Sequence, residues 1–538
     1  METERISVPA LTPFAKEYIS GSKQTSGFFD YDPFSQQSFQ ERSEEVRART
    51  FKRKELAGII RRYMASHHVT AETEQSLQKL EDPQSVVVIG GQQAGLLTGP
   101  LYSIHKIISI LHLAKEQEEK LSIPVVPVFW IAGEDHDLLE INHVFAEKDG
   151  RMQKLGYPEH FVKKQAASST VYDKGQMLKW TASVFACLKE TSYTNGLLRD
   201  IEEAIESSNT FTDFFAFLTS SFFAKHGLLL IDAADPELRK LEAPFFKQLI
   251  VESGLIAEAV QSTQQKLQKA GFTPAIETNN QPANLFLIED GERHLLERSG
   301  GLFLSKSGRA YTESDLLQLL EASPEVFSNN VVTRPLMQEW LFPTLAFVAG
   351  PGEIAYWAEL KDAFKQIGLL MPLVMPRLNI TIVDRAVAEN LAEIGTTIET
   401  AVQKGVQSEK AAYIESVRDH HLHDLVAQMK QDLLASYEKI EARAVDLHNG
   451  LAPIVQKNKS YHERQIDLLI QKSDAVLQQT HEAALRRFDR VQSALRPDGL
   501  QERVWNIYPF LNICGPSLID DLLKQPYKHD GSHYILYI

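Results

Sequence analysis

The pattern of hydrophobic and polar positions is clearest over residues 85–132. Residues 86–89 form a continuous run of β-branched side chains, which is typical of a strand that is covered on both faces. A glycine-rich segment over residues 90–100 follows, then a helical pattern over 101–120 and a second apolar run over 125–132. A strand, a glycine-rich turn, a helix and a strand predict a βαβ unit, in which the two strands are parallel.

Further apolar runs predict more strands of the same sheet at Leu228–Ile231, Leu345–Val348 and Leu373–Met375. They are widely spaced, so we predict an α/β protein whose parallel-sheet core is interrupted by inserts. The predicted division is a core over 1–145, 226–274 and 331–383, a mostly helical insert over 146–225, a small α/β insert over 275–330, a helical coiled-coil arm over 384–498, and a C-terminal segment over 499–538 that packs back on the core.

A heptad pattern fills the predicted arm. Apolar residues recur at alternating steps of three and four in a coiled-coil seam formed by Val426, Met429, Leu433, Tyr437, Ile440, Ala444, Leu447, Leu451 and Ile454. After a break at Gly450–Pro453, a second run repeats every seven residues at Ile470, Leu477, Ala484 and Val491. The two runs fit an antiparallel hairpin, a dimer, both together, or helices packed on the core, and their low glycine and proline content favours a projecting arm.

Composition and charge limit the classes of function. The chain has 538 residues, of which 43% are hydrophobic and 24% are charged, the proportions of a globular protein. The net charge of −15 and the lack of a basic patch argue against a nucleic-acid enzyme. No signal-peptide pattern or membrane-spanning stretch is present, and the two cysteines, Cys187 and Cys514, are too far apart for a CxxC metal pair. These features predict a cytoplasmic protein without a membrane or nucleic-acid partner and without an evident metal site.

The first candidate site is the glycine-rich segment after the first strand. Glycines let the backbone approach a ligand closely, and the N-terminus of the following helix favours an anion. The segment is neither a dinucleotide fingerprint nor a P-loop. A tight βα turn is the simpler reading, but open α/β sheets bind ligands at this end of their strands. The candidate binding residues are Gly91, Gln92, Gln93, Gly95, Thr98 and Gly99.

The second candidate site is the acidic segment that follows the second strand. Three acids around one histidine favour the protonated imidazole, which suits charge stabilisation or proton transfer. Asp135 would hold His136 in place, and the carboxylates are also of the type that binds magnesium beside a nucleotide. A solvated acidic loop is the alternative. The predicted catalytic residues are His136, Asp135 and Glu134.

Three further segments contribute candidate binding residues. Two of them, 349–361 and 375–381, begin where strands end, and an arginine in the second is suited to clamp a carboxylate or phosphate. The third, in the tail, places aromatic side chains beside an asparagine, which suits either an adenine ring or core packing. The candidates are Glu353, Tyr356, Lys361, Arg377 and Asn379 for substrate or nucleotide, and Trp505, Asn506 and Tyr508 for a second nucleotide position.

Taken together, five segments resemble the BshC family, over essentially the whole chain. They are GQQAGLLTGPLY at Gly91–Tyr102, FWIAGEDHD at Phe129–Asp137, GPGEIAYWAELK at Gly350–Lys361, PRLNIT at Pro376–Thr381 and QERVWNIYPF at Gln501–Phe510. The resemblance implies a Rossmann-like core related to the nucleotidyltransferases of class I tRNA synthetases, with connecting inserts and a coiled-coil arm that promotes homodimerisation. It also implies the last step of bacillithiol synthesis, in which L-cysteine is added to glucosaminyl-malate.

The implied reaction forms an amide from a carboxylate, so it requires activation, most simply by ATP as an acyl-adenylate or acyl-phosphate. In related ligases, HIGH and KMSKS motifs bind ATP. Residues Gln93–Leu96 stand at the expected place of the first motif and include no histidine, and Arg377–Thr381 stand near the place of the second and include no lysine. The alternative hypothesis is a non-catalytic nucleotide-binding scaffold or partner protein of the same pathway, which these departures favour and the clustered polar residues at the strand ends oppose.

Overall fold

The computed structural model describes residues 2–10, 12–148, 151–158, 163–277 and 282–538. Parts of the two predicted inserts, at 149–150, 159–162 and 278–281, therefore lie outside the described residues. The chain forms two compact units, one made of residues 1–383 and 498–538 and the other of residues 384–497.

The strands and helices are numbered here in chain order. The strands are β1 (Glu2–Ile6), β2 (Val86–Gln92), β3 (Val125–Ile131), β4 (His143–Lys148), β5 (Arg151–Gly156), β6 (Leu229–Asp232), β7 (Pro282–Glu289), β8 (Glu292–Ser299), β9 (Leu302–Ser305), β10 (Ala310–Tyr311), β11 (Phe327–Asn329), β12 (Thr344–Ala349), β13 (Leu373–Pro376), β14 (Asn379–Val383) and β15 (His533–Tyr537). The helices of the first unit that precede residue 384 are α1 (Pro13–Ile19), α2 (Lys23–Ser26), α3 (Gln36–Arg47), α4 (Arg53–Met64), α5 (Ala71–Glu81), α6 (Leu101–Leu121), α7 (Leu138–Ile141), α8 (Lys174–Phe185), α9 (Thr194–Ser207), α10 (Phe211–Phe223), α11 (Pro236–Val251), α12 (Ser253–Lys269), α13 (Glu313–Ala322), α14 (Thr333–Leu341), α15 (Pro351–Trp357) and α16 (Lys361–Gln366). The remaining helices are α17 (Arg385–Glu393), α18 (Ile398–Lys404), α19 (Gln407–Val417), α20 (His420–Leu447), α21 (Ala452–Thr480), α22 (Glu482–Leu495), α23 (Gln501–Val504), α24 (Tyr508–Cys514) and α25 (Leu518–Leu523).

The core of the first unit is a parallel sheet with the strand order β13-β12-β2-β3-β6. The predicted α/β class and the predicted βαβ unit, formed by β2, α6 and β3, are therefore confirmed. Every residue of β3 and of β12 is buried, as continuous apolar runs predict for strands covered on both faces.

The first strand is longer than its apolar run predicted. β2 continues through Gly90 and Gly91 and stays in parallel register with β3 as far as Gln92. A Cβ atom on Gly91 would lie 2.7 Å from the carbonyl oxygen of Trp130 in β3. The glycines therefore belong to the strand itself, where they permit a close approach of the two backbones.

Smaller sheets surround the core. Strands β7 to β11 form an antiparallel sheet with the order β10-β9-β8-β7-β11, and β4 and β5 form a hairpin that the helical reading of residues 146–225 did not predict. Both strands of that hairpin are short, β4 alternates buried with half-buried side chains and β5 exposes most of its side chains, so neither has the continuous apolar signal of the core strands. At the two ends of the chain, β15 pairs with β1 and with β14.

The second unit contains a helical hairpin formed by α20 and α21. The ion pair of Lys430 with Asp467 and that of His423 with Asp474 run in opposite chain order along the two helices, so the helices are antiparallel. The hairpin buries only part of the predicted seam. Val426, Tyr437 and Ala444 are covered, whereas other seam residues, such as Met429 and Ile440, remain exposed. Across the described residues, no helix combines the length and the apolar character that a membrane span needs.

Candidate active site at the edge of the parallel sheet

The strand order places a crevice at one edge of the parallel sheet. From β2 the chain proceeds to β3 on one side, whereas β12 lies against the other side of β2. The crevice between the carboxyl ends of β2 and β12 is thus the topological switch point, where open α/β sheets bind their ligands. The predicted segments after β2, β3, β12 and β13 all begin at this edge of the sheet.

A buried lysine occupies the crevice. Lys106 of α6 is 1% exposed, and its Nζ donates to the carbonyl oxygen of Gly91 at 2.7 Å and to Oε1 of Gln92 at 3.0 Å. The same Nζ lies 2.5 Å from Oε2 of Glu353, which also accepts from the backbone N–H of Gly350 at the start of α15. Burial lowers the pKa of Lys106 and the carboxylate of Glu353 opposes that shift. One cation therefore ties the ends of β2 and β12 together.

The glycine-rich loop between β2 and α6 is tightly folded. Leu97 and Thr98 both adopt positive φ angles, of 50° and 67°, and Cβ on Gly95 would lie 2.6 Å from the Cα of Gly99. The side chain of Thr98, predicted to bind a ligand, is fully buried, and its hydroxyl donates to the carbonyl of Leu97. The loop presents its backbone and its glutamines, not this hydroxyl.

A cleft of about 400 Å³ opens beside this loop. It brings together residues of the loop, of the hairpin that follows β3, and of the C-terminal tail. Its polar lining residues are Gln92, Gln93, Tyr102, Glu140, His143, Arg503 and Asn506, and Gly95 and Gly99 also line it. Gln93 is held by Glu140, to which its side-chain amide donates at 2.9 Å. The predicted first site and one residue of the predicted tail site therefore share one cavity.

The other two predicted tail residues lie in the core. Trp505 and Tyr508 are 8% and 2% exposed, and Tyr508 packs its ring against Phe185 and Phe222. The carbonyl of Trp505 accepts from the backbone N–H of Leu101, which uses one of the free N–H groups at the start of α6. The stacking platform for an adenine ring is thus not open at these two side chains, and core packing accounts for them.

Arg377 is also engaged inside the protein. Its two terminal nitrogens donate to the two carboxylate oxygens of Glu502 in α23, at 2.7 and 2.8 Å, and Glu502 also contacts Nδ1 of His105 at 3.2 Å. The guanidinium next to Glu502 holds the pKa of that carboxyl far below its usual range. The predicted clamp for a substrate carboxylate is therefore occupied by a carboxylate of the chain itself. Asn379, at the start of β14, is half-buried and pairs in strand register with His533.

The acidic segment after β3 is surrounded by arginines. Glu134 is 1% exposed and contacts Arg239 at 2.5 Å and Arg334 at 3.1 Å, and Asp135 contacts Arg334 at 2.7 Å. These arginines outweigh the effect of burial, and they lower the pKa of Glu134 to about 2. Next to them, both polar atoms of the Asn329 side chain are buried without a hydrogen-bond partner among the described residues. This cluster can position a polar ligand, but its carboxylates are not free to do chemistry.

The predicted protonation of His136 is wrong. Nδ1 of His136 lies 3.2 Å from a guanidinium nitrogen of Arg293, a residue of β8, and Asp135 is paired with Arg334 and does not hold the imidazole. Burial and the charge of Arg293 lower the pKa of His136, despite the nearby acids. Because Arg293 donates to Nδ1, the neutral imidazole carries its proton on Nε2. His136 therefore presents a hydrogen-bond donor.

Of the candidate residues that follow β12, some lie at the crevice, whereas Lys361 contacts the N-terminal segment instead. Glu353 lies in the crevice, and Tyr356 is half-buried close to Arg334, with burial raising the pKa of its hydroxyl well above the usual value. Lys361 instead donates to the carbonyl oxygens of Gly27 and Phe29, at 3.1 and 2.6 Å. Lys361 thus anchors the N-terminal segment.

Four functional candidates were missing from the sequence prediction: Lys106, Arg293, Glu502 and Arg503. Lys106 had a local signal, since it is a charged residue inside the apolar stretch Ile104–Leu111 of a helix that faces a sheet. Arg293 had none, because it reaches His136 only through the folding of a separate sheet. Burial lowers the pKa of Lys106 first, and the charges of Arg377 and Arg334 lower it further.

The fold and the site define a Rossmann-like α/β protein with a ligand crevice at its switch point, continued by a coiled-coil domain. The chain belongs to the BshC family of bacillithiol biosynthesis. Residues 1–378 match the family's N-terminal Rossmann-like domain, and residues 380–538 match its C-terminal coiled-coil domain.

Relatives that carry the provisional name cysteine ligase BshC match the chain over its full length. The protein of Bacillus licheniformis is 40% identical over 538 residues and that of Bacillus velezensis is 41% identical over 541 residues, with 100% of both chains covered in each case. The protein of Bacillus cereus is 39% identical over 538 residues, again with full coverage. These matches confirm the family to which the five segments pointed.

Proposed function

We propose that this protein is a ligase that forms the amide bond between the carboxylate of L-cysteine and the amine of glucosaminyl-malate, at the switch-point crevice. The observation that supports this most directly is the buried Lys106, which is held by Gln92 and Glu353 where β2 and β12 end. The three N–H groups of Lys106 are used by Gly91, Gln92 and Glu353, so Lys106 would position the strand ends and the amide of Gln92 against which a substrate carboxylate is bound. The choice of L-cysteine as a substrate rests on the relatives' name, cysteine ligase, and the choice of glucosaminyl-malate as the acceptor rests on the family's pathway, bacillithiol biosynthesis.

Around the crevice, each residue has a proposed role in binding or orientation. The amides of Gln92 and Gln93 and the backbone of Gly95 and Gly99 would contact substrate oxygens along the wall of the cleft. His136 would donate from Nε2 to the carbonyl oxygen of the activated cysteine carboxyl, where negative charge grows as the amine attacks, loses a proton and displaces the phosphate or AMP left by ATP activation. Arg377 would act as a positioning residue, because its contact with Glu502 fixes the segment that carries Arg503 and Asn506.

We propose ATP as the co-substrate, because it would supply the activation that a carboxylate needs before an amine can displace its oxygen. The cleft of about 400 Å³ fits part of a nucleotide, and Arg503 and Asn506 offer a cation and an amide on its wall. The carboxylates predicted as magnesium ligands do not fit that role, since Glu134 and Asp135 are each paired with arginine. Any magnesium would therefore arrive with ATP.

The test uses the full-length chain with L-cysteine, glucosaminyl-malate and ATP, and mass spectrometry to follow the product. We expect product with the unchanged protein and a loss of at least about 100-fold in rate with Lys106→Met, equivalent to about 2.7 kcal/mol. Lys79→Met is the matched control, because Lys79 makes only a half-exposed ion pair with Glu118. Absence of product from the unchanged protein under all three substrates would contradict the ligase and favour the scaffold hypothesis.

We also propose that the hairpin of α20 and α21 pairs with the hairpin of a second chain. Met429 and Ile440, which belong to the predicted seam, are 45% and 51% exposed. Further apolar side chains are exposed along the same two helices: Leu425, Val445, Leu447, Ile454, Leu468, Leu469 and Val476. Apolar seam positions left uncovered within one hairpin are typical of a coiled coil that is completed by another copy.

Sedimentation analysis tests this pairing. We expect a dimer for the unchanged chain and a monomer for the double variant Met429→Lys with Ile440→Lys. The control Glu438→Lys changes an exposed charged position of the same helix and should remain dimeric. A monomeric unchanged chain would contradict the pairing.

We place the protein in the cytoplasm, in keeping with the absence of a disulfide at Cys187 and Cys514.

A further inference from the structure

A histidine pair lies beside the C-terminal half of α6. His112 and Glu116 are one helical turn apart and therefore share a face, and His529 approaches them from the segment between α25 and β15. One ligand atom from each of the three residues lies within 4.8 Å of the other two. All three side chains are half-buried, so they are partly removed from water yet reachable.

The spacing of the two imidazoles fits a tetrahedral metal. Nδ1 of His112 and Nε2 of His529 are 3.3 Å apart. With zinc–nitrogen bonds of roughly 2.0–2.1 Å, two ligands of a tetrahedral ion are separated by about 3.4 Å. Two histidines and one carboxylate are also the ligand set that zinc and its first-row neighbours prefer.

We propose that His112, Glu116 and His529 bind a first-row transition-metal dication of the zinc class. The fourth position would be open to water. Glu116 is shared at present with Lys120, whose Nζ lies 2.5 Å from its Oε1 one turn further along α6. Metal binding would draw Glu116 away from Lys120 and would clamp the C-terminal segment, including β15, against α6.

This site is separate from the crevice. His112 follows Lys106 by six residues, a distance of about 9 Å along the helix axis. The proposal therefore does not depend on the ligase function, and an inactive protein could still bind the metal. Its role would be to hold the C-terminal segment, which completes the sheet of β1, β15 and β14.

The experiment uses the full-length chain after treatment with a chelator. Zinc(II) is titrated in competition with a chromophoric chelator, and cobalt(II) is added separately to record the visible bands of a four-coordinate ion. We expect one ion per chain, at least tenfold weaker binding for His112→Ala and for His529→Ala, and weaker binding for Glu116→Gln. His294→Ala is the control, since His294 is a half-buried histidine that lies near a single carboxylate.

Lys120→Met keeps the proposal testable even if a ligand variant misfolds. Removing the competing ammonium should strengthen zinc binding, and zinc should slow hydrogen exchange in residues 524–538 of the unchanged chain but not of His529→Ala. Equal affinity in the unchanged chain, His112→Ala and His529→Ala would overturn the proposal. The absence of the visible bands of four-coordinate cobalt would also overturn the proposal, and the two imidazoles would then be a hydrogen-bonded pair only.

Discussion

The pair formed by Arg377 and Glu502 gives a prediction that separates a structural role from substrate binding. Both side chains are almost completely buried, and two hydrogen bonds of 2.7 and 2.8 Å join them. Removing one partner leaves an uncompensated buried charge, which costs about 3–5 kcal/mol. We therefore expect Arg377→Met and Glu502→Gln each to destabilise the first unit by this amount.

The corresponding change in melting temperature follows from the size of that unit. For roughly 420 residues, an unfolding entropy of about 2.1 cal/mol/K per residue gives about 0.9 kcal/mol per kelvin. Each single variant should then lower the melting temperature of this transition by about 3–6 °C. The double variant Arg377→Met with Glu502→Gln should recover part of the loss, because no buried charge remains without a partner.

Differential scanning calorimetry measures all four proteins, and the ligase assay is run on the same samples. If the single variants have the same melting temperature as the unchanged protein and lose only activity, Arg377 binds substrate and its contact with Glu502 does not stabilise the fold. If the double variant is as unstable as the two single losses added together, the two residues do not act as a pair. Either result would refute the argument from the buried contact.

Three further predictions follow from individual residues of the same unit. Gly91→Ala should destabilise the protein by about 1–3 kcal/mol in chemical denaturation, because the added Cβ would lie 2.7 Å from the carbonyl oxygen of Trp130. The control Gly58→Ala adds a Cβ in open space within α4 and should stabilise the protein by about 0.5–1 kcal/mol. Equal effects of the two changes would contradict the close approach of β2 and β3. The pKa of Glu134 falls from 4.5 to about 2 on folding, so its ionised form should contribute about 3 kcal/mol to the free energy of unfolding above pH 4.5. That contribution is lost as the pH falls towards 2, so Glu134→Gln should make the free energy of unfolding depend less on pH in this acidic range. Burial raises the pKa of Asp232 from 3.8 to about 7, so its contribution is present at low pH and is lost as the pH rises from about 4 to about 7. Asp232→Asn should remove that decline between about pH 4 and pH 7, and an unchanged slope in this range would contradict the prediction.

The sequence predicted the parts of the fold that depend on local patterns. The strands β2 and β3 and the helix between them lie close together in the chain, and their apolar periods report burial directly. The same pattern could not fix the length of β2, because Gly90 and Gly91 look like a turn in sequence but act as strand residues beside Trp130. The seam of the hairpin was also recognised, although the pattern could not tell which of its positions would be covered within one chain.

The chemistry of the site was less accessible from the sequence, because it depends on charges that come from distant segments. The acids at 134–137 predicted a protonated His136, but Arg293 and Arg334, which lie more than 150 residues further along the chain, contact His136 and Asp135 and offset the local negative charge. Arg377 looked free for the same reason, since Glu502 lies 125 positions away. Sequence reasoning finds the positions of polar groups at strand ends, whereas the partners that decide their protonation are set by tertiary structure.

The balance of charge at the sheet edge bears on the size of the substrate. The chain as a whole carries a net charge of −15, which repels anions over most of its surface. At the crevice, in contrast, Lys106 is matched by Glu353 and Arg377 by Glu502, so the edge is close to neutral. A small organic acid with two or three negative charges would therefore meet little net repulsion at this crevice, while Lys106 and Arg377 stay paired with Glu353 and Glu502. A long polyanion such as tRNA would have to lie across the acidic surface as well, so the same charges that tolerate a small organic acid disfavour a nucleic acid.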